Sequence, residues 1–217
     1  MTIVEPELGP AMPGWRLGWG LQEMTLRLLS GDVTSRHFVR SPDAIAGFVD
    51  LRALFFGADV RAALNGDVVQ FHASYLEDCP IAPDSVDLAT SRSVLEHITE
   101  IDRCFSAFGT IVRPGGLMCH HVDLSAHDAG DPFAFYYAAD VGGGRRRPDD
   151  LNGLRLSDYV AGFAAHGFEV EVVERTILHD YPLDRRRLTP RFRGYAEEDL
   201  RCRRAVIVAR KRRAAGA

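Results

Sequence analysis

The 217 residues are 46% hydrophobic and 26% charged, apolar enough for a single domain over 1–217 with a sizeable core, which excludes a disordered or fibrous chain. Twenty-six basic against 30 acidic residues leave a formal charge of −4, which argues against nucleic acid as a partner. Cys79, Cys104, Cys119 and Cys202 form no Cys-x-x-Cys pair, so neither a zinc site nor a disulfide framework is signalled.

In chain order, the start Met1-Thr2-Ile3-Val4-Glu5-Pro6-Glu7 has no basic opening and no apolar signal core, and no stretch reaches the length of a membrane span; a cytoplasmic protein without a membrane partner is expected. Residues 9–14 read as an ordinary turn. Ser41-Pro42-Asp43 is a helix start, with Ile45, Phe48, Val49 and Leu51 available for its buried face, and Val68-Val69-Gln70-Phe71 is a short strand.

The periodicities sharpen after residue 82. The turn Ala82-Pro83-Asp84 leads into a strand over 85–91. Ile101, Cys104, Phe105, Phe108, Ile111 and Val112 then recur at three- and four-residue intervals, the stripe of an amphipathic helix stopped by Pro114-Gly115-Gly116. A strand over 117–123 follows, so strand, helix and strand succeed one another as in a parallel sheet.

Ser157 is placed to cap a helix with Val160, Phe163 and Ala164 on its core face and Gly167 just past its end. An alternating strand from Phe168, a short helix over 196–201 and a last strand over 205–209 complete the chain. Between the 117–123 strand and the Ser157 helix lies a long insertion, 128–152, with Gly142-Gly143-Gly144 and the aromatic run Phe133-Ala134-Phe135-Tyr136-Tyr137. It reads as a lid or acceptor loop. The clusters Arg145-Arg146-Arg147, Arg185-Arg186-Arg187 and Arg210-Lys211-Arg212-Arg213 read as solvated surface, with an anion site as the alternative for the first two.

Three pieces of this second half carry a family resemblance: Cys79-Pro80-Ile81-Ala82-Pro83-Asp84-Ser85-Val86-Asp87-Leu88, Ser93-Val94-Leu95-Glu96-His97-Ile98, and Val112-Arg113-Pro114-Gly115-Gly116. In this order they resemble the class I S-adenosylmethionine-dependent methyltransferases, of the methyltransferase-11 kind. The resemblance implies an α/β, Rossmann-like sheet, mostly parallel with an antiparallel terminal strand, and S-adenosyl-L-methionine as cofactor.

It also implies a site. Ser91 and Arg92 would lie beside the methionine part of the donor, Glu96 and His97 would face the reaction zone, and Tyr75 and Leu76 would occupy the adenine positions, where the family's acid is missing unless Glu77 or Asp78 replaces it. The glycine-rich loop of the family has Gly9 as its only counterpart, with poor spacing, and Asp43 or Asp50 as the acid for the ribose. Helix-dipole complementation is the alternative role for Glu96.

The densest polar group is His120, His121, Asp123, His127 and Asp128. A hydroxyl acceptor must lose its proton, and histidine titrates in the right range to take it; His97, His120, His121 and His127 are the candidate bases. Strand alternation sends His120 and His121 to opposite faces, so one of them serves packing. Asp123, His127 and Asp128 leave Mg²⁺ or Mn²⁺ open as a bound ion. The expected activity is O-methylation of a small-molecule or saccharide acceptor, with a methyltransferase-like binding or scaffold protein as the alternative; a homodimer stays open.

Overall fold

A computed structural model describes residues 2–4, 70–72, 74–126, 130–137 and 151–213. The chain divides into two compact units, Met1–Cys79 and Pro80–Ala217. In the first, β1 (Thr2–Val4) pairs in parallel with β2 (Gln70–His72), which holds Gln70 and Phe71 of the expected 68–71 strand; Val68 and Val69 lie outside the described residues. The helix expected from Ser41 lies outside the described residues.

The second unit holds a four-stranded sheet of β3 (Val86–Arg92), β4 (Val112–Asp123), β5 (Phe168–Ile177) and β6 (Cys202–Lys211), in the order β3-β4-β6-β5. β3 and β4 run parallel, and β6 is antiparallel to both β4 and β5. The mostly parallel sheet with an antiparallel C-terminal strand is therefore present, and that strand is inserted between its neighbours rather than added at the edge.

Helix α1 (Ile101–Ile111) buries Ile101, Cys104, Phe105, Phe108 and Ile111, the stripe read from its spacing. The Pro114-Gly115-Gly116 turn differs from expectation in one respect. Val112 already pairs with Val86, and the register then slips before Leu88 meets Leu117, so the turn is a bulge within β4. Glycine is required there on two counts. Gly115 has φ 79°, and a Cβ on Gly116 would meet Val86 O and Arg113 O at 3.0 and 2.8 Å.

Helix α2 (Leu156–Ala165) starts one residue before Ser157, and its first turn is closed by Asp158, whose carboxylate accepts the Arg155 amide at 2.7 Å. Ser157 instead donates its hydroxyl to Asp199, a tertiary partner that displaces the expected cap. The buried face is Leu156, Tyr159 and Phe163, with Val160 and Ala164 only half-buried. Gly167 follows the helix at φ 90°, as its position suggested.

Both helices pack on one sheet face. Phe105 meets Tyr159 and Phe163 edge-on, and Phe108 and Phe163 cover His120 of β4. A second core lies beyond the carboxyl ends of β4 and β5. There Phe133, Tyr136, Leu188 and Phe192 pack with Leu200 of the short helix α3 (Glu197–Arg201). Among the described residues no helix is long and apolar enough to cross a membrane.

Candidate functional site

In open α/β sheets ligands lie beyond the carboxyl ends of the parallel strands. At that edge β3 ends in Ser91 and Arg92, and the chain turns through Ser93, a non-glycine residue held at φ 51°, a backbone setting that costs free energy and concentrates at functional sites. A single 3-10 turn, Leu95–His97, follows. Leu95 is buried, which anchors the turn and leaves His97 exposed.

Glu96 lies on the buried side of this turn with 2% of its surface exposed. Its Oε1 accepts the backbone amide of Asp123 at 3.2 Å, Ser93 interacts with the same carboxyl, and Oε2 has no hydrogen-bond partner among the described residues. Burial pushes its carboxyl up to about 7; backbone hydrogen bonds at Glu96 and Asp123 oppose the shift, and the nearby Asp123 charge adds to it. Asn152 secures the turn from outside. Its amide nitrogen donates to the carbonyls of Leu95 and Ile98 at 2.7 and 3.0 Å, and its backbone N–H donates to Glu96 O at 2.7 Å.

The two adjacent histidines do face opposite ways. His120 is fully buried, its Nδ1 is 2.8 Å from Ser91 Oγ, and its ring stacks on Phe163 at 5.4 Å. Burial holds its imidazole down to about 4. His120 is thus a neutral core side chain, which corrects its inclusion among the candidate bases and ties up Ser91 as well.

His121 is half-buried, opposite Arg92 on β3 and Val206 on β6, with Nδ1 unpartnered among the described residues. Burial first, and then the Arg92 and Arg204 charges, lower its pKa, while Asp123 and Glu174 oppose the shift. It is neutral near pH 7, the state a proton acceptor requires.

Asp123 does not behave as a free metal ligand. Its Oδ1 accepts the Ser125 hydroxyl and amide, and its Oδ2 accepts Arg204 at 3.0 Å; these bonds and the Arg204 charge hold its carboxyl below the usual range against the opposing effect of burial. Among the described residues no group of three or more His, Cys, Asp or Glu could hold an ion. The expectation of Mg²⁺ or Mn²⁺ therefore finds no support in Asp123, while its proposed co-ligands His127 and Asp128 lie outside the described residues. So do Gly9, Asp43 and Asp50. Tyr75, in the first unit, is 59% exposed; Leu76 is half-buried and opens a 3-10 turn.

Phe133 and Tyr136 of the aromatic run are not an open acceptor surface. Phe133 and Tyr136 are fully buried and stacked 5.2 Å apart, and the Tyr136 hydroxyl donates to Leu200 O at 2.6 Å. Beneath them is Arg155, which sequence reasoning passed over. It is fully buried, donates to the carbonyls of Leu124, Asp199 and Cys202, and sets its guanidinium 5.2 Å from the Tyr136 ring centroid. Only a second reading of the 133–137 aromatics as partners for a cation could have suggested it.

Residues 49–120 match a family model described as a methyltransferase domain. The match overlaps the motif at 79–98, which with that at 112–116 resembles those of the class I S-adenosylmethionine-dependent methyltransferases. Among characterised relatives, a ubiquinone biosynthesis O-methyltransferase of Mesorhizobium japonicum is 34% identical over 61 residues, 28% of this chain and 24% of the relative. The protein of the same name from Brucella anthropi is 33% identical over 61 residues, 28% and 25% of the two chains. The alignment thus spans about a quarter of the length of these relatives.

Among solved structures, an S-adenosylmethionine-dependent methyltransferase from Mesorhizobium loti has 22% identity and a TM-score of 0.43 over 71% of this chain and 75% of its own. A Haemonchus contortus phosphoethanolamine N-methyltransferase 2 in complex with S-adenosyl-L-methionine has 16% identity and a TM-score of 0.47 over 76% and 43%. One feature of the site suits the family's donor. Glu96 Oε2 is a buried acceptor with no partner, the polarity that the donor's ammonium group needs.

Proposed function

We propose that this protein catalyses S-adenosylmethionine-dependent O-methylation of a small-molecule or saccharide hydroxyl. The observation that carries the reading is Glu96, a buried carboxyl with one unpartnered oxygen at the carboxyl edge of β3 and β4. Glu96 would hold the donor's amino group, and the Ser91-Arg92-Ser93 turn would set the position of its methionine end. When bound, S-adenosylmethionine would supply the sulfonium methyl, which the acceptor oxygen attacks in line as the S–CH3 bond breaks and S-adenosylhomocysteine leaves.

The acceptor's proton goes to an imidazole. His120 is committed to the core, which leaves His97, His121 and His127. The test is incubation with the donor and a panel of phenolic and sugar hydroxyl acceptors, with S-adenosylhomocysteine formation as the readout. A methylated oxygen product is expected; product on nitrogen or carbon alone would overturn the O-methyl assignment.

A second reading, a binding or scaffold protein without catalysis, draws on the missing adenine acid at Tyr75-Leu76 and on the poor glycine spacing around Gly9. Calorimetric titration separates the two. Tight binding of S-adenosylhomocysteine supports the enzyme, and none at millimolar concentration supports the scaffold.

A further inference from the structure

The segments that leave the carboxyl ends of β4 and β5 enclose an open cavity of about 480 Å³. Asp131, Pro132, Tyr137, Tyr181, Asp184 and Arg187 line it. Its walls are fixed from behind. The Tyr181 hydroxyl donates to Asp131 Oδ2 at 3.1 Å, Asp131 Oδ1 accepts the Phe133 amide at 2.8 Å, and the Asp184 amide donates to the Tyr137 hydroxyl at 3.1 Å. Ala126 N–H donates to Pro132 O at 2.7 Å, and Thr189 N–H to Tyr136 O at 2.9 Å, tying both segments to the second core.

The chemistry of the lining is mixed in a particular way. Tyr137 and Tyr181 supply aromatic rings, Asp131 and Asp184 supply acceptors, and Arg187 supplies donors. The Arg187 guanidinium lies 5.5 Å from the Tyr137 ring centroid and, among the described residues, makes no side-chain hydrogen bond or ion pair. Each carboxylate has room for about four hydrogen bonds; among the described residues Asp131 accepts the two above and Asp184 accepts the Arg186 amide at 3.0 Å, which leaves capacity on both.

An aromatic acceptor would use the rings and waste the charged groups. A strongly anionic one would meet two carboxylates, and a cationic one would meet Arg187. A neutral ring bearing several hydroxyls uses everything: its C–H faces lie on tyrosine, its hydroxyls donate to Asp131 and Asp184, and its oxygens accept from Arg187.

We infer that this cavity binds a neutral, polyhydroxylated ring, that is, a saccharide, as the recognition element of the acceptor. The inference rests on the proposed O-methyltransfer and narrows it from small molecules in general to sugars. It is tested on the full chain with methyl glycosides of glucose, galactose, mannose and rhamnose at millimolar concentration, using saturation-transfer NMR, with catechol as competitor.

At least one glycoside should bind without added donor. Arg187→Ala, which removes no side-chain hydrogen bond among the described residues, should weaken that binding about 10-fold or more with an unchanged unfolding midpoint, and Asp184→Asn should do the same. Failure of every glycoside to bind, binding that neither variant alters, or displacement by catechol would each overturn the inference. Glycoside binding without methyl transfer would defeat the proposed activity and leave the cavity's assignment standing. Transfer to a sugar with KM unchanged in both variants would do the reverse.

Discussion

The carboxylate of Glu96 accepts the backbone amide of Asp123, so the turn after β3 is fastened to the last residue of β4 by a group that titrates close to neutrality. The same strand carries a second buried titratable group, His120, three residues away on the opposite side of the pH scale. Their effects on stability oppose each other. The Glu96 carboxyl rises from 4.5 to about 7 on folding, so its stabilising proton is fully present below pH 4.5 and the contribution is lost as pH rises through 7. His120 falls from 6.5 to about 4; its contribution is present above 6.5 and lost as pH falls through 4. Each shift corresponds to up to about 3 kcal/mol.

Two single substitutions should therefore uncover opposite slopes. Urea unfolding of Glu96→Gln should show stability falling from pH 7 towards pH 4.5, where His120 acts alone. His120→Gln, which keeps a polar partner for Ser91, should show stability falling from pH 4.5 towards pH 7. Profiles parallel to the parent chain in both variants would remove either group from the account.

A second prediction concerns helix contact. A Cβ added to Gly162 of α2 would overlap the ring of Phe105 on α1, so Gly162→Ala should destabilise by about 1 to 3 kcal/mol by overpacking, although alanine is the better helix former by about 1 kcal/mol. Phe105→Ala should cost roughly 3 to 5 kcal/mol. In the combined Gly162→Ala, Phe105→Leu variant the losses should fall well short of additive, because the clash is relieved. Strict additivity in thermal unfolding would show that the two residues do not touch.

The third prediction tests Arg155. Its guanidinium satisfies three backbone carbonyls, two of them in buried bonds, and Arg155→Met would leave them unpaired in a low-dielectric site. A loss of about 3 kcal/mol or more is expected, with faster amide exchange at residues 133–136. Exchange rates unchanged in that segment would show that the aromatic core stands without the arginine.

Sequence periodicity revealed the sheet and α1 because a strand alternates and a helix repeats regardless of distant partners. The bulge in β4 was hidden, since Pro-Gly-Gly marks a turn equally well at the end of a helix or within a strand. Ser157 carried a capping signal that Asp199, 42 residues away, captured. Parity separated His120 from His121, but which of them faced the helices depended on where Phe108 and Phe163 would pack. Glu96 was visible as a candidate, whereas its burial follows from Leu95 and Asn152 closing over the turn. Sequence spacing carries no trace of such contacts.

The last prediction is catalytic. With His120 in the core, the candidates for taking the proton of an acceptor hydroxyl are His97, His121 and His127. His121 has the environment of a base: an unpartnered Nδ1, and a pKa lowered by burial and by Arg92 and Arg204. The acid limb of kcat should therefore fall below the ordinary histidine value of 6.5, because the imidazole must be neutral to act. His121→Ala should reduce turnover by about 10²-fold or more while S-adenosylhomocysteine affinity stays nearly unchanged, since the base acts on the acceptor and not on the donor. His97→Ala and His127→Ala serve as parallel variants, and the one that loses both turnover and the acid limb identifies the base. Full activity in all three against a hydroxyl acceptor would mean that positioning alone suffices, and histidine base catalysis would have to be abandoned.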